Sequence, residues 1–137
     1  MSSKSKRLLH KSTLLQAEAL SDLEALVKNI ERAETLLAEL KHDTEAMNAA
    51  HQRDRPRTTR EDISYLEDLL KCARKKLAWE SQMEKLATRT PEILATVSAV
   101  MNDTQNPPPD QLRQGVLGLL QKVQAAMTRL DAAKSAD

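Results

Sequence analysis

Apolar residues recur along the chain with the alternating three- and four-residue spacing of an amphipathic helix. From residue 23 onward, positions 23, 26, 30, 33, 37, 40, 44 and 47 read Leu, Leu, Ile, Ala, Leu, Leu, Thr and Met. This spacing places one apolar stripe along a single helix face. No Gly or Pro precedes Pro56, so nothing local ends the helix early. The pattern predicts a first helix over residues 7–52, preceded by a flexible basic segment at residues 1–6.

A turn is predicted around Pro56, followed by a second long helix. Pro56 has no amide proton and disfavours helical backbone at Arg55, so the first helix ends before it. Thr58 and Glu61 have the spacing of a capping box, which is typical of a helix start. The residues that we expect this helix to bury are apolar and share helical spacing: Ile63, Leu66, Leu69, Leu70, Ala73, Leu77, Met83 and Leu86.

The stretch around residue 90 leaves two alternatives open. Thr90 is a good N-cap residue and Pro91 suits the first position of a helix, which indicates a third helix over residues 91–102. The same stretch is also compatible with a kinked continuation of the second helix. In either case residues 59–102 form the returning arm of a helical hairpin that covers residues 7–103.

A proline-rich linker separates this hairpin from a last helix. Residues 104–109 contain three consecutive prolines and form a stiff connection. The last helix, residues 110–134, has apolar residues at 112, 116, 119, 123, 126, 130 and 133. Gly115 and Gly118 fall in its first two turns, and a glycine inside a helix costs about 1 kcal/mol. They indicate either close approach to a neighbouring backbone or a loosened helix end.

The composition agrees with an all-α fold. The 137 residues include only two glycines, too few for the tight turns of a many-stranded sheet. We predict an elongated antiparallel helical hairpin or bundle with coiled-coil-like packing, made of three long helices and one short or kinked segment. At about 1.5 Å per residue, the first helix is on the order of 70 Å long, which is too long for a compact globule.

The helix lengths predict that this chain binds other helices. The last helix can cover only about half of the hairpin, so part of an apolar stripe stays in water unless another chain buries it. We expect the stripes of the first and last helices to pair with helical partner subunits or with a second copy. The expected contact residues are Leu23, Leu26, Ile30, Leu37, Leu40, Leu112, Val116, Leu119, Val123 and Leu130.

The sequence offers no set of residues typical of catalysis or of metal binding. Glu39 and His42 have the Glu-x-x-His spacing of di-iron bundles, but the second such motif is missing. Cys72 lies near Lys71 and Arg74, yet no histidine has a recognisable spacing to orient it as a nucleophile. There is also no glycine-rich phosphate loop. We therefore expect a protein that is not an enzyme, with no metal, no cofactor and no small-molecule substrate.

Charge gives an alternative function. The 21 Lys and Arg residues nearly balance the 20 Asp and Glu residues, so no overall field favours nucleic acid or an anionic membrane. Four arginines nevertheless crowd the hairpin turn: Arg53, Arg55, Arg57 and Arg60. Either they are an ordinary charged turn, or the chain is a helical adaptor whose tip binds an anionic partner such as nucleic acid, an acidic tail or a phosphorylated segment.

The two aromatic residues are expected on nearly the same side of the second helix. Tyr65 and Trp79 lie fourteen residues apart, which is about four helical turns. We expect Trp79 to fill the core against the first helix, with Tyr65 at its rim; the alternative is that Trp79 anchors a partner helix. So few aromatic residues do not favour nucleic-acid binding.

The remaining features concern location. A single cysteine favours a reducing compartment, and no run of 18 apolar residues exists that would span a membrane. We expect the cytoplasm or nucleus; the alternative is mitochondrial import, because residues 1–17 contain four bases and no acid. Taken together, the sequence predicts a non-catalytic scaffold subunit of a multi-protein helical assembly.

Overall fold

The computed structural model of the chain is an all-α helical bundle, as the sequence predicts, and it describes residues 3–52 and 55–136. Helix α1 spans Ser3–Ala50, α2 spans Thr59–Met101 and α3 spans Asp110–Ser135. The described residues contain no strand. Helix α1 therefore begins four residues earlier than predicted and includes residues 3–6, which the sequence analysis left outside it.

Helix α1 lies at the centre, with α2 and α3 both packed along it. The side chain of Gln82 in α2 donates a hydrogen bond to the Asn29 carbonyl at 3.0 Å, and Lys75 pairs with Asp43. The later residue of α1, Asp43, thus contacts the earlier residue of α2, Lys75, which shows that α2 runs antiparallel to α1.

Helix α3 runs parallel to α1, which its contacts show at both ends. Gly115 lies beside Leu20, and Arg129 forms an ion pair with Glu34 at 3.2 Å. At the end of α3, the Lys41 ammonium donates hydrogen bonds to the carbonyls of Ala133 and, at 2.6 Å, Ala136. A cation at a helix C-terminus also interacts favourably with the helix dipole.

Thr58 caps α2, as its spacing to Glu61 predicts. The Thr58 hydroxyl accepts a hydrogen bond from the Glu61 amide at 3.2 Å. The backbone of Thr58 is extended, so the helix begins at the next residue. Cap formation thus marks where the chain leaves the turn and begins its return along α1.

Helix α2 continues through Pro91 without interruption, which decides between the two alternatives left open by the sequence. Pro91 cannot donate to the carbonyl of Ala87, so one helical hydrogen bond is missing. Thr90 is not an N-cap, and its hydroxyl is buried without a hydrogen-bond partner in the described structure. Residues 91–101 therefore belong to α2, because packing against α1 outweighs the local start signal.

The core lies between the middle of α1, the second half of α2 and the length of α3. Its fifteen buried apolar side chains form one cluster. The largest fully buried ones are Leu23, Leu26, Ile30, Val116 and Leu130. Trp79 is half-buried and packs against the same cluster, as expected of a core residue.

This core contains the stripes that the sequence analysis assigned to partner contact. Seven of those ten residues are buried within the chain: Leu23, Leu26, Ile30, Leu37, Val116, Val123 and Leu130. The other three, Leu40, Leu112 and Leu119, are half-buried. These residues thus contact one another inside one polypeptide and not a partner chain, because α3 packs alongside α1 and its stripe faces the stripe of α1.

Neither glycine of α3 lies against a neighbouring backbone. A Cβ added at Gly115 would meet Leu20 Cδ1 at 3.5 Å, which is an ordinary van der Waals distance. A Cβ added at Gly118 would meet nothing within 4 Å. Close approach therefore does not explain either position, and the two glycines only weaken the start of α3.

We predict that Gly118→Ala raises the free energy of unfolding by about 0.5–1 kcal/mol, since alanine restricts the unfolded chain and favours helix. Chemical denaturation monitored by circular dichroism measures the change. The control is Gln114→Ala, an exposed position in the same helix, for which the change is expected within about 0.5 kcal/mol. A loss of stability in Gly118→Ala would show that this position is tightly packed.

Candidate docking surface on helix α2

Helix α2 carries two apolar stripes on opposite faces. We call Leu86, Ile93, Val97 and Val100 the inner stripe, and Ile63, Leu66, Leu70, Ala73 and Leu77 the outer stripe. Leu86, the first residue of the inner stripe, lies nine positions after Leu77, the last residue of the outer stripe. At about 100° per residue, an offset of nine positions corresponds to about two and a half turns, so the two stripes lie on opposite sides of the helix. A continuous helix cannot direct both stripes at α1.

The inner stripe packs on α1, and the outer stripe faces solvent. All four residues of the inner stripe are buried. In the outer stripe, 53% of Ile63, 58% of Leu66, 57% of Leu70 and 66% of Leu77 is exposed, and Ala73 is exposed as well. The prediction that these five residues are buried against the first helix is therefore wrong.

A polar face of α2 turns toward α1 in this half of the hairpin. Leu69 is half-buried at the edge of this face. The other half-buried residues follow the same three- and four-residue spacing: Glu61, Tyr65, Asp68, Cys72, Lys75 and Trp79. This series continues in phase into the inner stripe through Gln82 and Leu86. The inner stripe thus fixes the rotation of α2, and the polar face follows from it.

Three side chains around His51 hold the polar face in place at the turn. His51 is buried, and its Nε2 atom lies 2.7 Å from Asp68 Oδ2. The Arg57 guanidinium donates to the His51 carbonyl at 2.9 Å and lies 4.2 Å from the centre of the Tyr65 ring. The His51 and Tyr65 rings meet edge to face at 5.1 Å. These contacts are specific to the register observed.

About two helical turns further along α1 toward its start, an ion pair joins Asp43 to Lys75. The hydrogen bond from Lys75 lowers the pKa of the Asp43 carboxyl, with desolvation opposing it and the Lys75 charge reinforcing it. The same hydrogen bond raises the pKa of Lys75. Both shifts favour the charged pair, so this contact also stabilises the rotation that leaves the outer stripe in solvent.

Helix α3 does not reach the outer stripe. Its contacts with α1 run from Leu20, beside Gly115, to Lys41, which binds the carbonyl of Ala136. Beyond Lys41 the hairpin consists of α1 and α2 alone. About half of the hairpin is therefore covered, as the helix lengths predict, and no described residue shields the outer stripe.

The arginines of the turn do not form a free cluster in the described part of the chain. Arg53 lies outside the described residues. Arg55 pairs with Glu61 at 3.3 Å, and Arg57 is engaged with His51 and Tyr65. Arg60 is exposed. Two of the three described arginines thus stabilise the turn itself.

The remaining candidate residues are not brought together. Glu39 and His42 are both exposed on α1, and Cys72 is a half-buried free thiol. Within residues 3–52 and 55–136, no group of three His, Cys, Asp or Glu side chains is placed to hold a metal ion. Across the same residues, none of the helices combines the length and apolar character needed to cross a membrane.

Comparison with family models, with curated proteins and with solved structures finds no match to this chain. The outer stripe holds four of the eight large apolar side chains that are exposed among the described residues, and these four share one helix face.

We predict that Leu66→Ala changes the free energy of unfolding of the monomeric chain by less than about 0.5 kcal/mol, because Leu66 is exposed. The matched variant Leu26→Ala removes the same atoms from the core and lowers it by about 2–5 kcal/mol. Denaturant titration of both variants gives the comparison. Equal losses in the two variants would place Leu66 in the core and remove the outer stripe.

We predict that Asp43→Asn lowers the melting temperature at neutral pH and that the difference from the unmodified chain disappears in acid. Because the pKa of Asp43 is lowered by folding, its contribution is present above the ordinary carboxyl value of about 4 and is lost as the pH falls through the lower, folded value. Melting curves between pH 7 and pH 2 test this. Glu45→Gln, an exposed neighbour, is the control and is expected to show no comparable change. A constant difference at every pH would contradict the charged pair.

Proposed function

We propose that this protein is a non-catalytic structural subunit of a multi-protein helical assembly, which binds partner helices through the outer stripe of α2. The observation that carries the proposal is the exposure of four large apolar side chains, each more than half accessible, along one straight face of a helix. Such contiguous apolar surfaces mark interaction sites in folded proteins.

The spacing of the outer stripe fits pairing with another helix. Positions 63, 66, 70, 73 and 77 alternate by three and four residues, which is the a and d pattern of a coiled coil. Fully burying a leucine or isoleucine side chain stabilises a complex by about 1.5–3 kcal/mol before the entropy of association is counted. The four large side chains of the outer stripe are the apolar surface that a partner helix would bury.

The rest of the chain supports this role by holding the stripe rigidly. The inner stripe, the Asp43–Lys75 ion pair and the contacts of His51 all fix the rotation of α2 on α1. A preorganised surface loses less conformational entropy on binding than a flexible one does. The partner contact that the sequence analysis assigned to the stripes of the first and last helices is therefore moved to α2.

The alternative of an arginine-tipped adaptor loses support from the same contacts. Arg55 and Arg57 have partners within the chain, and of the three described arginines at the turn only Arg60 is exposed without a contact that restrains it there. An anionic partner would have to compete with these contacts. With a single cysteine in the chain, we place the assembly inside the cell, in the cytoplasm or nucleus.

The test is the size of the native assembly in cells of the source organism. We predict that the tagged chain elutes in a complex larger than itself and that the double variant Leu66→Asp, Leu70→Asp elutes at a smaller size, since buried carboxylates prevent helix pairing. Leu117→Asp, at an exposed leucine of α3, is the matched control and stays in the complex. Arg60→Glu also stays, whereas the adaptor alternative requires it to leave. Retention of the double variant would remove the proposed function.

A further inference from the structure

We propose that the occupant of the outer stripe is a second copy of this chain, bound in antiparallel orientation. The inference rests on the proposed function and names its partner. The supporting observation is the distribution of charges on either side of the outer stripe. When two copies pair in antiparallel orientation, the acidic residues of each copy face the basic residues of the other.

Between residues 62 and 76, the charges at the edges of the outer stripe fall into an acidic and a basic segment. Asp62 and Glu67 flank the first half of the outer stripe, and Arg74 and Lys76 flank the second half. All four side chains are exposed. They occupy the e and g positions of the heptad that places Ile63, Leu70 and Leu77 at a, and these positions lie at the edges of a helix–helix contact.

An antiparallel pair brings each acidic segment against the basic segment of the other copy. In this orientation e positions face e positions and g positions face g positions. In the register that places Leu66 against Leu77, Arg74 of the second copy lies two residues along the axis from the level of Glu67. Lys76 of the second copy lies five residues from the level of Asp62, the same offset as in a parallel g–e pair. The twofold axis repeats both contacts, because a twofold interface uses the same surface of each copy. The four central apolar layers match as well, with Leu66 against Leu77 and Leu70 against Ala73 of the second copy, while Ile63 lies beside Glu80 of the second copy at each end.

A parallel pair is opposed by the same charges. There each g position faces the e position five residues later on the other helix. Asp62 would lie beside Glu67 of the second copy, twice, and Lys76 would lie beside the uncharged Ser81. Like charges at such sites are destabilising, so the sequence selects the antiparallel orientation.

The structure leaves room for this pair. The outer stripe lies on the side of α2 away from α1, since its residues are half a helical turn from the half-buried series that contacts α1. Helix α3 ends its contacts with α1 at Lys41 and does not approach this face. Two copies can therefore meet through α2 alone, over about 20 Å of helix.

Sedimentation equilibrium of the purified full chain tests the dimer. We expect a concentration-dependent dimer, and we expect Leu66→Asp with Leu70→Asp to sediment as a folded monomer with unchanged helical circular dichroism. The control Leu117→Asp is expected to dimerise as the unmodified chain does. A purified chain that stays monomeric at the highest concentration measured overturns the inference.

Charge exchange tests the orientation. Glu67→Lys places a lysine beside Arg74 of the second copy in the antiparallel pair and is expected to raise the dissociation constant about fivefold to tenfold. In a parallel pair the same variant would face Asp62 and would bind more tightly, which would overturn the orientation. The variant Asp62→Lys, Glu67→Lys mixed with Arg74→Glu, Lys76→Glu is expected to form mixed dimers, while each alone dimerises weakly.

The outcomes separate this inference from the proposed function. If the purified chain is monomeric but the native complex still depends on Leu66 and Leu70, a foreign helix occupies the outer stripe; the self-pairing is then wrong and the structural role stands. If neither assembly depends on these residues, both proposals fail.

Discussion

The arrangement depends on one constraint: a continuous helix has a fixed rotation per residue, so two apolar stripes half a turn apart cannot face the same neighbour. In α2 the inner stripe packs on α1 and thereby sets the rotation for all of Thr59–Met101. The outer stripe must then point into solvent. Its exposure is a geometric consequence of the core and not a local defect in packing.

The polar contacts on the facing side show that this rotation is built into the chain. His51 with Asp68, and Asp43 with Lys75, place matched polar groups where a simple hairpin would place leucines. If α2 were rotated to bury the outer stripe, those groups would lose their partners and Trp79 would leave the core. Burying an unpaired polar group is costly, so the alternative rotation is disfavoured by the lost polar contacts and by the loss of Trp79 from the core.

Periodicity alone predicts the three helices, the capped start at Thr58 and the coverage of about half of the hairpin, because each depends on local spacing or on length. It does not tell which neighbour a stripe faces. The stripes of α1 and α3 pair with each other inside the chain, and the outer stripe was expected to be buried because it has the same apolar character as the inner one. The offset of nine residues between Leu77 and Leu86 was the available signal, since it breaks the heptad spacing.

Pro91 weakens the backbone hydrogen bonding of α2 at one position only. The hydrogen bond missing at Ala87 lies where α2 is held by the core, not in the two-helix arm that carries the outer stripe. Packing in the core restrains α2 at that point, while the part of α2 that carries the outer stripe keeps an uninterrupted series of backbone hydrogen bonds. A partner bound to the outer stripe is thus held by a continuous segment of α2 that lies outside the three-helix part of the molecule.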